Sequence, residues 1–290
     1  MKKVIVIVGP TGSGKTKLSI AVAKHLNAEI INGDAVQVYQ GLDVGSAKIK
    51  PSEMAGIKHH LLDVCQPTEN YNVFRFQKDV RQLIEQIDIP LIVGGTGLYM
   101  KAALYAYEFT EPGRDELFDQ AYQDKNNQEL YGLLKSLDPN IRIDVQNRRR
   151  MLRAIEQAKL GEPRSTKTKK DELLYNACIL YLDLERSIQE ERFRTRLEHQ
   201  IKSGFIKEVQ DLYEKGIRIN AIGYRELVDY IEGFYTLEEA KERIIMASKK
   251  LAKKQKTWFK NQMNPMVLDA MSPSLLVDTL HVIDKFIKGE

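Results

Sequence analysis

Five consecutive apolar residues, Val4–Val8, stop abruptly at Gly9. A run that short, β-branched and ended by glycine predicts a strand buried on both faces. The period then changes. Leu18, Ala21, Val22 and Leu26 recur at helical spacing, which predicts a helix from about Lys15 to Leu26. Glu29–Asn32 reads as a second strand running into Gly33-Asp34. Phe76, Val80, Leu83 and Ile87 form the stripe of a second helix, and Pro90–Val93 is a third strand ended by Gly94-Gly95-Thr96-Gly97. Strands alternating with helices predict a parallel sheet with helices on both faces. Such sheets bind ligands at the carboxyl ends of their strands, where all three of these turns fall.

The rhythm changes near Glu111-Pro112-Gly113. From there to about Leu160 the pattern is helical, with Leu130, Leu133, Leu134 and Leu137 on one face and Met151, Leu152 and Ile155 on another. Gly161-Glu162-Pro163 ends it, a polar lysine-rich loop follows from Ser165 to Asp171, and Ala177–Leu182 reads as a strand returning to the first sheet. The expected architecture is an α/β core over 1–112 and 173–290, with a smaller helical insertion domain over 113–172. The rest reads as mostly helical, and Ile244, Leu251 and Trp258 are expected to face its core.

Composition narrows the class. The 290 residues are 43% hydrophobic and 29% charged, as in globular proteins. Two distant cysteines, Cys65 and Cys178, exclude a disulfide framework and a cysteine-based structural zinc site. The apolar run after Met1-Lys2-Lys3 is too short for the hydrophobic stretch of a signal peptide. No run approaches the ~20 apolar residues of a membrane span. A cytoplasmic location is expected. Net charge is only +4, but residues 241–260 hold eight Lys or Arg against one Glu, and Arg148-Arg149-Arg150 with Arg153 make a second cluster. Such clusters suit a polyanion, or equally a solvated helix face.

Gly9-Pro10-Thr11-Gly12-Ser13-Gly14-Lys15-Thr16 fits G-x-x-x-x-G-K-[ST], with a strand before it and a helix after it. The glycines let backbone N–H groups turn inward onto phosphate oxygens, and the helix N-terminus adds its positive dipole end. Lys15 reaches the outer phosphate in this arrangement and the Thr16 hydroxyl helps to hold Mg²⁺. The fold class is thus α/β, a P-loop NTPase-like parallel sheet flanked by helices. A nucleoside reader is harder to find. Thr168-Lys169-Lys170-Asp171 lacks the Asn of a guanine-reading N-K-x-D, and the strand Leu91–Val93 ends in glycines where an ATPase places an acid. From the loop alone, a small-molecule kinase stays open.

Further stretches, taken with the loop, resemble one family. They are I-N-G-D-A-V-Q-V-Y-Q-G-L-D-V-G-S-A-K (31–48), G-I-K-H-H-L-L-D-V (56–64), L-I-V-G-G-T-G-L-Y (91–99) and A-I-G-Y-R-E-L (221–227), with the basic tail L-A-K-K-Q-K-T-W-F-K (251–260). In order and spacing this set resembles the tRNA dimethylallyltransferases of bacterial type. The resemblance implies transfer of a dimethylallyl group from dimethylallyl diphosphate to N6 of adenosine 37 in tRNAs reading codons that begin with U. It implies Asp34 as general base, the loop Gly9–Thr16 with Mg²⁺ under the leaving diphosphate, and Arg225 as an arginine beside it, with Thr96 also at the catalytic centre. Asp34, Ala35, Val36, Gln37 and Thr96 match the tRNA-contacting stretch, and His59 matches a position implicated in the active site. Arg148, Arg149, Lys253 and Lys256 are expected to grip the anticodon stem-loop, with Lys249, Lys253, Lys256 and Lys260 on one helical face. A monomer is expected.

The chain departs from the family's pattern in three places. Ala35 stands where serine is common, lysines replace arginines at Lys249, Lys254 and Lys260, and Val145-Gln146-Asn147 lacks a frequent Asp. Point charges therefore replace bidentate phosphate contacts on the C-terminal helix. Two other readings remain to be separated by experiment: an ATP-dependent transferase such as a kinase, and a non-catalytic RNA-binding protein with a nucleotide switch.

Overall fold

The structure is a computed structural model that describes residues 1–109, 116–167 and 171–290. It divides into two compact units, Met1–Leu104 with Leu174–Glu290, and Tyr105–Leu173. The sequence boundary at 112/113 lies outside the described residues, as does most of Thr168–Asp171.

The first unit is built on six parallel strands: Lys3–Val8 (β1), Glu29–Asn32 (β2), His59–His60 (β3), Pro90–Gly94 (β4), Asn176–Asp183 (β5) and Met266–Asp269 (β6). Their order is β3-β2-β4-β1-β5-β6. In register, Val8 lies between Gly94 and Tyr181, so β1 is central and its carboxyl end faces a turn on either side. The apolar run of β1 is fully buried because both faces are covered. Ile5, Ile7, Ile30, Leu91, Leu180 and Leu182 share a core with Lys15–Leu26 (α1) and Leu275–Lys288 (α11). The opposite face carries Val73–Gln86 (α2), Gly97–Leu104 (α3) and Leu237–Met263 (α10). Asn72 starts α2 by accepting from the N–H groups of Phe74 and Arg75, which sets the helix beginning a turn ahead of its apolar stripe.

A helical layer follows β5: Arg186–Lys202 (α7), Phe205–Glu214 (α8), Tyr224–Ile231 (α9) and α10. Phe193, Leu197, Phe205, Leu212, Tyr224, Leu227 and Ile244 form its core, joined by Leu42 from the loop after β2. Thr236 and Glu239 form a capping box at the start of α10. Ile244 is buried as expected and Trp258 lies half-buried with its ring against Gly97. Leu251 is a correction: it is 40% exposed, because its neighbour Ala252 takes the inward position.

The second unit holds Glu116–Gln120 (α4), Asn127–Leu137 (α5) and Arg148–Lys159 (α6). Leu130, Leu134, Ile141, Met151, Leu152 and Ile155 make its own core. Among the described residues, no helix is long and apolar enough to cross a membrane.

Candidate active site

The loop between β1 and α1 reverses direction with Gly12 and Gly14 in the left-handed region, φ 80° and 90°, which side chains disfavour. Gly14 is the residue from which α1 starts, so the loop closes over a helix N-terminus. Lys15 Nζ folds back to donate to the Pro10 carbonyl at 2.8 Å. Burial pushes the Lys15 ammonium down to about 8; Asp34 opposes this shift and Arg196 adds to it.

At the end of β2, Asp34 Oδ1 accepts from the N–H groups of Val36 at 2.8 Å and Gln37 at 3.3 Å. The carboxylate thereby makes the turn that follows the strand through Oδ1, and among the described residues Oδ2 has no hydrogen-bond partner. Thr96, just after β4, accepts at its hydroxyl from the N–H of Ala35 at 3.3 Å. Gln255 of α10 donates to the Gly95 carbonyl at 2.8 Å, tying the same turn to the basic helix.

These turns open onto one cavity of 270 Å³. Thr11, Gly12, Gly14, Lys15 and Thr16 line it on one side and Asp34 and Gln37 on another. Its apolar part is Ile30, Ile49, Leu62 and Val93, with His59 among them. His59 Nδ1 lies 2.9 Å from the Ile57 carbonyl, and burial holds its ring below the ordinary imidazole value, so it stays neutral near pH 7. The two histidines face opposite ways, as an extended segment requires: His60 Nε2 meets Glu29 at 2.5 Å.

The arginine that lines this cavity is Arg196 of α7. Arg225, expected beside the diphosphate, lies outside the lining, half-exposed on α9 with Asn220 and Glu226 as its partners at 3.4 Å. One turn before Arg196, Arg192 donates to the Gly12 carbonyl at 2.8 Å and so braces the phosphate loop from outside. Gln189, Phe193 and Leu197 are the buried stripe of α7, and Arg192 and Arg196 each precede one of them. That spacing was the readable sign of two arginines carried along the edge of a buried face.

The basic clusters are partly occupied by the protein itself. On α10, Lys256 and Lys260 reach Asp183 at 2.7 and 3.7 Å and Lys249 pairs with Glu190, whereas Lys253 is exposed, with no ion-pair partner among the described residues. In the second unit, Arg148 spends its guanidinium on the carbonyls of Tyr122 and Lys125. Arg149 is exposed beside it.

A divalent cation suits the donor set. Among the described residues no cluster of His, Cys, Asp and Glu could cage a metal alone. Thr16 offers a hydroxyl to the cavity, and Mg²⁺ ordinarily takes only one or two protein oxygens when phosphates supply the rest.

Fold and site together define a phosphate-loop α/β protein whose loop shares its cavity with an isolated carboxylate. The comparisons make this specific. The IPP transferase family profile matches residues 37–262. A tRNA dimethylallyltransferase of Acholeplasma laidlawii is 50% identical over 287 residues, covering 99% of each chain. Among solved structures, a tRNA delta(2)-isopentenylpyrophosphate transferase of Staphylococcus epidermidis is 38% identical with a TM-score of 0.74, covering 98% of this chain and 99% of that one. A eukaryotic dimethylallyltransferase acting on tRNA is 25% identical with a TM-score of 0.87, covering 100% and 80% respectively. The chain belongs to the IPP transferase family, that of the tRNA dimethylallyltransferases.

Proposed function

We propose that the protein transfers a dimethylallyl group from dimethylallyl diphosphate to N6 of adenosine 37 in tRNAs reading codons that begin with U. The observation that carries this is the shared cavity: a phosphate loop, a carboxylate at Asp34 and an apolar recess, in a chain of this family. The diphosphate rests on backbone N–H groups of Gly12 and Gly14–Thr16, beside the Lys15 and Arg196 side chains. The five-carbon chain lies toward Ile30, Ile49, Leu62 and Val93, which exclude water from the allylic carbon.

The adenine amino group is a weak nucleophile because its lone pair is spread into the ring. Asp34 takes its proton as the new C–N bond forms. The bond from the allylic carbon to oxygen breaks, and its electron pair leaves with diphosphate. Lys15 and Arg196 face the negative charge that grows there. Thr16 would hold Mg²⁺ through its hydroxyl, and the ion would supply further charge neutralisation when bound. Reaching N6 requires the base to leave the anticodon stack, so Gln37 and the Ala35–Val36 backbone meet an extruded base. Both units are proposed to hold the anticodon stem-loop, through Lys253 and Lys256 of α10 and through Arg149 of α6. The protein is proposed to act as a cytoplasmic monomer.

A panel of anticodon stem-loops tests the assignment. Label from dimethylallyl diphosphate is expected in a stem-loop with adenosine at 37 and in none with guanosine there; equal labelling of both would sink it.

Lys15 fixes a pH dependence. Its proton is lost near pH 8 in the free protein, so kcat/KM for dimethylallyl diphosphate is expected to fall as pH rises through about 8. The bound phosphates hold the proton on, so kcat itself should stay flat across that interval. Stability moves in the opposite direction. The folded value, about 8, lies below the ordinary 10.5, so the unfolded chain holds this proton more tightly and Lys15 lets stability rise from about pH 8 to 10.5. A kcat/KM profile that is level to pH 9.5 would contradict the role.

The lysine face is expected to act unevenly. Lys253→Glu places a negative charge where an exposed cation stood and should weaken stem-loop binding by about tenfold, with a shallower salt dependence. Lys256→Glu also frees Asp183, so part of its effect is repulsion within the protein. Filter binding across a salt series reads both; affinity insensitive to salt would remove α10 from the RNA surface.

A further inference from the structure

Residues 42–48 have no regular structure of their own, yet Leu42 is fully buried and Ser46 and Ala47 form part of the cavity wall. The backbone N–H groups of Asp43, Val44 and Gly45 converge on a single carboxylate, that of Glu208 on α8, at 3.0, 2.7 and 3.0 Å. The Tyr224 hydroxyl donates to the same carboxylate at 2.7 Å. From α7, Gln200 donates to the carbonyls of Val44 and Gly45 at 2.7 and 2.9 Å. Gly45 has no room for a side chain, since a Cβ there would lie 2.1 Å from the Phe205 ring. Both polar directions of this backbone are therefore fixed from the helical layer.

The carbonyl that follows has two functional dependants. Ser46 O accepts from Gln37 Nε2 at 3.1 Å and from Arg196 Nη2 at 3.2 Å. Both donors line the cavity, and Arg196 lies within electrostatic reach of Lys15. One backbone oxygen thus holds an amide and a guanidinium of the cavity wall at once.

We propose that Glu208 is a positioning residue for prenyl transfer: by fixing the backbone of residues 43–45 it places the Ser46 carbonyl on which Gln37 and Arg196 both hang. The inference deepens the proposed function and rests on it. Charged acceptors make the stronger hydrogen bonds, and N–H groups that lose such a partner inside the protein incur a desolvation penalty. The loop is then free to move, and a displacement of about 1 Å at a positioned group can lower a rate by about a hundredfold.

Glu208→Gln tests this, because it keeps the shape and exchanges one acceptor oxygen for an amide nitrogen that cannot accept. The measurement is kcat/KM for dimethylallyl diphosphate at saturating anticodon stem-loop, in the wild type, Glu208→Gln, Arg196→Ala and the double variant. Glu208→Gln is expected to lose about tenfold or more, with melting still far above the assay temperature. The double variant is expected to fall short of the product of the two single losses, since part of the effect of Glu208 runs through the anchor of that arginine and the rest through Gln37. Losses that multiply in full would mean that no share of the effect of Glu208 passes through Arg196 and overturn the proposal, as would a wild-type rate in Glu208→Gln. Should that variant not fold, Tyr224→Phe removes the hydroxyl that donates to the carboxylate and also meets the Ser46 backbone, and it is read in the same cycle. A wild-type protein that transfers no label overturns both this inference and the function beneath it. An active wild type with an unaffected Glu208→Gln overturns this inference alone.

Discussion

Asp34→Asn is expected to slow prenyl transfer by about 10²–10⁴-fold, the range that a positioned general base contributes, while KM for dimethylallyl diphosphate barely moves. The asparagine is chosen for what it preserves. Asp34 Oδ1 accepts from Val36 and Gln37, and the asparagine carbonyl oxygen can accept the same two N–H groups. The turn stays and basicity is lost. Asp34→Ala removes both, so part of its effect would come from a displaced Gln37. Single-turnover rates with enzyme in excess separate chemistry from product release. A rate within threefold of wild type would remove Asp34 from proton transfer and leave it as the residue that shapes the turn.

Lys15→Ala is expected to lower kcat/KM for dimethylallyl diphosphate by about 10²–10³-fold, the scale seen when one donor to a developing oxyanion is removed. In the structure its ammonium rests on the Pro10 carbonyl, a position from which it can swing to a phosphate oxygen. The same variant carries a second expectation of opposite sign. Burial pushes this lysine down to about 8, so at neutral pH its charge opposes folding. Removing it should leave thermal stability equal or higher. Lost activity with unchanged or raised melting temperature identifies a ligand-binding lysine; equal loss of both would identify a structural one.

The elements legible in the sequence are those whose signal is local and continuous. The buried run of β1, the loop Gly9–Thr16 and the helix after it are contiguous, so period and motif agree along one unbroken stretch, Lys3–Leu26. Asp34 could be placed near the loop because parallel strands bring their carboxyl ends together, and both now line one cavity. The two edge strands escaped notice for a physical reason. β3 is a pair of histidines with no apolar pattern, and β6 is short and mostly exposed at the margin of the sheet. Neither needs the hydrophobic alternation by which strands are read.

Side chains brought in from far along the chain were harder to see. Arg196 lies some 160 residues beyond Asp34, and only the packing of α7 brings the two to one cavity. Arg194, two residues earlier, points the other way into Glu190 and Glu242. The residue type alone could not separate them. The lysines of α10 show the converse limit: helical spacing put them on a common face, but Asp183 and Glu190, which occupy three of them, come from other elements.

The central claim is that the phosphate loop holds the diphosphate of an isoprenoid and that the carbon leaves it for a tRNA base. The measurement closest to it is one reaction with dimethylallyl diphosphate labelled in the prenyl carbon, Mg²⁺ and unmodified tRNA, followed on both products. The account predicts label in adenosine alone after digestion of the RNA, with one diphosphate released for each label gained. Release of monophosphate, label on another nucleoside, or no label in RNA from a folded preparation would contradict it.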